Sequence, residues 1–200
     1  MHPVQKKYLT PHNKSEDMMK VKTAYSIIIT VIITSFFINA WAAPPFGTDD
    51  DVNYAAALWK QLTDDKLVGK NAITSTPYTG TPPHGAILDT MDSQIKVKGH
   101  TGDVIVKKNY GGKGITKEAV ANDPDKWLKA VTVMFRREKG FDSDDKDWFW
   151  VKFKPDGSLH ENKKGMKLAG KVAKGMPKGC IACHKAAPGG DFVFNNDRIK

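Results

Sequence analysis

Cys180 and Cys183 are the only cysteines in the 200-residue chain, and His184 follows the second directly. The spacing Cys-x-x-Cys-His is the attachment signal of a c-type haem. Each thiol adds across a vinyl group of the porphyrin, and the histidine is held under the iron as its proximal nitrogen ligand. Three other uses of a cysteine pair leave His184 without a role. A thioredoxin-type redox pair opens a helix after a strand in a βαβ pattern, and no such pattern flanks this pair. A zinc site takes four ligands, and there is no second cysteine pair. A disulfide between residues so close in sequence is uncommon. The motif therefore points to one covalent haem c per chain, with Cys180 and Cys183 holding the porphyrin and His184 the iron.

Such attachment takes place outside the bacterial cytoplasm, so the chain is expected to be exported. Met19-Lys20-Val21-Lys22 is a short basic segment, Ala24 to Ile38 is apolar, and Ala40-Trp41-Ala42 fits a small-residue cleavage site. The apolar run is about fifteen residues, short of the roughly twenty that span a bilayer. This favours a leader cleaved near Ala42 and a periplasmic protein over an uncleaved membrane anchor. Residues 1–18 are polar, so the start is a candidate for reassignment to Met19. Residues 1–42 are read as the leader and 43–200 as a single domain. The net charge is +9, of which 43–200 carry +6. That balance suits acidic redox partners or anionic surfaces. No nucleic-acid motif and no arginine stripe accompanies it, so no nucleic-acid partner is expected.

The elements that must position the motif follow from periodicity. Asp49 to Lys66 reads as a helix, with Val52, Ala55, Ala56, Leu58, Trp59 and Leu62 on one face and three aspartates at its start. Residues 71–85 are a loop rich in Thr, Pro and Gly. Ile87 to Lys98 reads as extended, Gly102-Asp103 as a turn, and Val104 to Tyr110 as a strand. Thr116 to Lys129 carries a short helix with a second start at Asn122-Asp123-Pro124. Strands follow at 130–137 and 147–154, joined by the acidic loop Asp142-Ser143-Asp144-Asp145. That loop lacks the glycine and bidentate glutamate of a calcium loop. Pro155-Asp156-Gly157 is a turn, and Lys164 to Lys174 reads as a helix. No internal repeat is visible.

The haem motif lies near the C-terminus, and Met91, Met134, Met166 and Met176 all precede it. With no methionine following as a second ligand, the iron is expected to be open on one face and to bind small molecules. The strands exclude the almost wholly helical cytochromes c′. The runs GDVIVKKNY (102–110), VTVMFRREKGFD (131–142), DWFWVKFKPDGS (147–158) and GCIACHKAAPGGDFVF (179–194) resemble the cytochrome P-460 family, including its cytochrome c′-β relatives.

The resemblance implies an α+β fold, mainly antiparallel β-sheet with a few packed helices. It also implies a homodimer, a five-coordinate haem with His184 proximal, and a small gaseous or nitrogenous ligand. An enzyme of this kind oxidises hydroxylamine and hands electrons to a periplasmic partner. The family's porphyrin-linked lysine corresponds to Lys107, and alternation along a strand lets only one of Lys107 and Lys108 face the haem. One departure stands out. Active members carry a carboxylate a little upstream of the motif, whereas residues 162–179 contain no Asp or Glu. This leaves three readings: a hydroxylamine oxidoreductase, a non-catalytic NO or CO binder with a distal pocket lined by Phe135, Phe149 or Phe153, and a simple electron carrier. His84 is a candidate distal group. His100 and His160 read as surface, Arg136 and Arg137 as strand-end charges or propionate ligands, and Trp148 and Trp150 as packing residues on a shared strand face.

Overall fold

The computed structural model describes residues 45–194, all within the second of the two units into which the chain divides, Ala43–Lys200. The expected leader and cleavage site lie outside the described residues. Helix α1 (Asp49–Asp64) starts on a capping box: the Thr48 hydroxyl accepts from the Asp51 amide, and the Asp51 carboxylate accepts from the Thr48 amide. Six antiparallel strands then run in chain order across one sheet: β1 (Tyr78–Thr79), β2 (Ile87–Val97), β3 (His100–Tyr110), β4 (Leu128–Arg136), β5 (Trp148–Phe153) and β6 (Ala169–Gly170). Short helices α2 (Lys117–Asn122) and α3 (Pro124–Trp127) lie between β3 and β4, and α4 (Cys180–His184) follows β6. The α+β expectation, mainly antiparallel sheet with a few helices, holds.

Two local expectations fail. Gly102 and Asp103 are inside β3, and the chain turns instead at Lys98 and Gly99, both with positive φ. Gly102 is needed within the strand because a Cβ there would lie 2.1 Å from the Arg136 carbonyl oxygen. Lys164 to Lys174 is not a helix. Backbone bonds from Leu168 N to His160 O and from Lys152 N to Leu168 O pull this segment onto the β5 edge, where Ala169 and Gly170 pair with Val151 and Trp150. Sheet hydrogen bonding outcompetes a helical pattern of only modest periodicity.

The two faces of the sheet diverge. On one, Val104, Val106, Val131, Val133, Phe135, Phe149, Val151 and Phe153 pack against Tyr54, Ala55, Leu58 and Leu62 of α1. On the other, Met134, Trp148 and Trp150 meet Val172, Ile181 and Phe192. The strand period of two makes this division residue by residue.

Candidate functional site

The second face encloses a cavity of about 450 Å³, walled by Ile105, Met134, Trp150, Leu168, Val172 and Val193 together with Cys180, Cys183 and His184. One turn of helix assembles the motif. Positions i, i+3 and i+4 share a helix face, so α4 presents both cysteines and the histidine to the same space. The turn begins at Gly179, whose φ is +137° and where a Cβ would lie 2.3 Å from the Ala173 Cβ. Ile181 points the other way and is buried. Cys180 is half-buried and Cys183 exposed at the rim. Burial pushes the Cys180 thiol up, away from the stabilised thiolate that a redox pair uses.

The His184 ring is held on three sides. Its Nδ1 lies 2.7 Å from the Phe192 carbonyl oxygen, which can only accept, so Nδ1 donates and Nε2 carries the lone pair. Metal-ligating histidines are oriented in this way. Trp150 packs edge-on at 4.9 Å and Phe194 at 5.3 Å between ring centres. The carbonyl is itself anchored: Asp191 pairs with Arg136 at 2.9 Å, and its carbonyl accepts from Trp148 Nε1 at 3.0 Å. Arg136 also pairs with Asp103. The expectation of a solvated strand-end charge or a propionate ligand thus gives way to a tie on the segment behind His184. Two further ties flank the motif. Lys174 binds Asp142, Asp144 and Asp145, and Lys185 binds Asp145 at 3.2 Å. The acidic loop between β4 and β5 therefore clasps the chain on both sides of α4.

Lys107 lines the cavity, and Lys108 does not. Lys107 sits in a cross-strand row with Thr90, Thr132 and Lys152, all facing the cavity. Lys108 points to the α1 side, where its Nζ donates to the Ile73 carbonyl at 2.5 Å and pairs with Asp89 at 3.6 Å. His84 reaches the same cavity from the 71–85 loop, its ring centre 6.2 Å from that of His184. Burial and then the charge of Lys107 pull its pKa down to about 4. The loop lies tight against β3: a Cβ at Gly85 would stand 2.5 Å from the Tyr110 carbonyl oxygen.

Phe135, Phe149 and Phe153 are not in the cavity. They are buried under α1, because Trp148 and Trp150 take the other phase of β5 and Met134 the other phase of β4. The aromatic residues near the motif are Trp150, Phe192 and Phe194. His100 and His160 lie away from the cavity; His100 bonds the Arg136 carbonyl at 3.1 Å. Asn109, Thr90, Thr132 and Lys152 went unnoticed in the sequence. A polar residue at a facing position of an otherwise apolar strand was the available signal. A smaller cavity of about 280 Å³, beside Lys108 and Tyr110 on the α1 side, contains no thiol or imidazole.

The model of the family described as cytochrome P460 matches residues 67–195, well over half of the chain. The chain belongs to the cytochrome P460 family. Nothing matches among curated proteins or among solved structures. Cytochrome P460 membership implies a haem cofactor, and this cavity fits one. It is apolar, it lies within the size range of cofactor pockets, and it gathers two thiols and a histidine already set in its metal-binding tautomer. Among the described residues that line it, none is Asp or Glu.

Proposed function

We propose that this cytochrome P460 family member is an exported, periplasmic c-type cytochrome that uses one covalent haem for redox chemistry on a small nitrogen compound of the hydroxylamine or nitric oxide kind. The observation that carries the reading is convergence: Lys107 of β3, far from the motif in sequence, lines one apolar cavity with Cys180, Cys183 and His184. Cys180 and Cys183 hold the porphyrin as thioethers, and His184 Nε2 binds the iron. The bound group supplies electron exchange and a coordination site for a small ligand. Phe192 and Trp150 fix the imidazole plane. Ile105, Met134, Leu168 and Val172 make the cavity wall apolar and keep water from it. The exposed rim at Cys183 is where electrons leave for a periplasmic partner, and the family resemblance implies a homodimer.

Lys107 is the candidate third covalent link to the porphyrin. Mass mapping of the haem peptide decides this. A haem fragment that carries the Lys107 peptide as well as Cys180 and Cys183 supports the enzyme reading. A fragment with the two cysteines alone removes the cross-link.

The second reading is a non-catalytic binder of NO or CO. It is favoured by the absence of any carboxylate among the described lining residues, because hydroxylamine oxidation benefits from a distal base. His84, kept neutral by burial, is the group present that can accept a proton there. Steady turnover of hydroxylamine with an added electron acceptor supports the enzyme. Tight NO binding with no turnover supports the binder.

A further inference from the structure

The loop histidine is better placed than a polar distal group needs to be. Asn109 orients it. The Asn109 side-chain nitrogen donates to the Lys107 carbonyl at 2.8 Å and to the Thr132 hydroxyl at 3.1 Å. Its Oδ1 is therefore an acceptor, and it lies 3.0 Å from His84 Nδ1 and 3.2 Å from the Gly85 amide. His84 Nδ1 must donate, which leaves the lone pair on Nε2. His84 and His184 thus share one tautomer, each fixed by an oxygen behind it, with Nε2 of each left in the form that can ligate a metal.

Their positions agree with this. His184 packs on Trp150, whose cross-strand row is Ile105–Met134–Trp150. His84 is bonded to Asn109, four positions further along β3 than Ile105. The row Lys107–Thr132–Lys152 lies between them. One imidazole therefore approaches from each side of the row that carries the cavity lysines. The ring centres are 6.2 Å apart and the ring planes cross at 80°. Two imidazoles sharing one metal at a bond of about 2 Å each have centres about 6 Å apart, since a ring centre lies roughly 1 Å behind its nitrogen.

We propose that His84 is the second axial ligand of the haem iron in the resting protein, held in place by Asn109, so that the face expected to be open is closed at rest and a small ligand enters by displacing His84. Displacement exchanges one donor for another and changes no oxidation state. The 71–85 loop, anchored at Gly85 and by the bond from Gly80 N to Ala86 O, then acts as a gate on the site. This rests on the haem reading above. An apparent ligand affinity falls by the fraction of protein with the gate open.

The test is optical and electron paramagnetic resonance spectroscopy of the purified holoprotein. Two imidazole ligands give a six-coordinate, low-spin iron in both oxidation states. His84→Ala converts this to high-spin, speeds CO combination with the reduced protein by at least about tenfold, and free imidazole restores the low-spin spectrum. A high-spin wild-type spectrum overturns the proposal. So does a low-spin spectrum that His84→Ala leaves unchanged, which would hand the ligand role to another side chain. Where His84→Ala fails to accumulate, His84→Gly with added imidazole decides: a low-spin spectrum that depends on the added imidazole supports the assignment, and one that does not overturns it. Haem content, read independently from the mass of the Cys180–Cys183 peptide, separates the two failures. No haem there sinks the haem reading, whereas bound haem with a vacant sixth position sinks only the ligand assignment.

Discussion

On the face under α1, β3 presents Val104, Val106 and Lys108; on the other face it presents Ile105, Lys107 and Asn109. The first set meets side chains of the same chain. Tyr54 lies 5.1 Å from Phe149 and Trp59 4.8 Å from Phe153, ring centre to ring centre, and Asp89 answers the charge of Lys108. Of the second set, Ile105 and Lys107 meet an open space with two thiols and two imidazoles on its walls, and Asn109 holds His84 beside it. A face completed by protein is governed by packing, so its residues are interchangeable by size and polarity. A face completed by a cofactor is governed by what its side chains can bond to. Adjacent residues of one strand, Lys107 and Lys108, thus carry the same chemistry for opposite purposes.

The sharpest break in the comparison is a truncation under α1. Phe149 is fully buried. Phe149→Ala is expected to cost about 3–5 kcal/mol in urea unfolding of the haem-loaded protein, with little change in its visible spectrum. Ile105→Ala, on the cavity face, reverses that pattern: about 1–2 kcal/mol or less, with a shifted spectrum. Equal stability losses would show that the two faces are not separately filled.

The lysine pair sharpens it next. Burial pulls the Lys108 pKa down, and Asp89 opposes that shift. Asp89 is 1% exposed, so Lys108→Met leaves a buried carboxylate without its cation, at about 3–5 kcal/mol. Lys107→Met is expected to change stability by less than about 0.5 kcal/mol and to remove any lysine-linked haem peptide. Unfolding midpoints and peptide mass together check both halves.

The sequence singled out Cys180, Cys183 and His184 because Cys-x-x-Cys-His acts within one helical turn, and the structure brings all three to one cavity. Alternation along β3 separated Lys107 from Lys108 without saying which faces the cavity; the family resemblance chose Lys107, and Lys107 is the one that lines it. The sequence missed the phase of the aromatics. Phe135, Phe149 and Phe153 are chemically as suited to a ligand pocket as Trp150, and only the sheet register decides which side each takes. It also missed β6, where an edge pairing with Trp150 and Val151 overrides local preference. Asn109 was invisible as a site residue because its role is to aim His84, 25 positions earlier.

A smaller effect separates the clasp around the motif from the cavity itself. Asp145 is fully buried, and Asp142 nearly so. Lys174, about one-third exposed, binds both. Lys174→Ala leaves two buried carboxylates with less compensation. Because water reaches the lysine, the expected loss is about 1–2 kcal/mol, below that of a fully buried pair. Lys185 still holds Asp145, so haem attachment is expected to survive. Loss of attachment in this variant would mean that the clasp positions α4 rather than only steadying it.

The smallest effect belongs to the α1 face and is set by pH. Arg137 lies flat over Tyr54, its guanidinium carbon 3.6 Å from the ring centre, and grips Glu138 through Nε and Nη2 at 2.8 and 2.6 Å. The hydrogen bonds from Arg137 lower the Glu138 pKa from 4.5 to about 2. A depressed carboxylate pKa adds stability above the unfolded value and loses it as pH falls through the folded value. The window is therefore from 4.5 down to about 2. Half the Glu138 side chain is exposed, so solvent screening holds the contribution below about 1 kcal/mol. Unfolding free energies of wild type and Glu138→Gln should differ by that amount at neutral pH and converge as pH drops through the window. Raising salt to about 1 M, where the Debye length is about 3 Å, should shrink the difference. Neither trend should move the visible spectrum, because this pair lies on the side of the sheet that the protein fills for itself. A difference that persists undiminished at the acid end would assign the effect of the substitution to packing on Tyr54 rather than to charge.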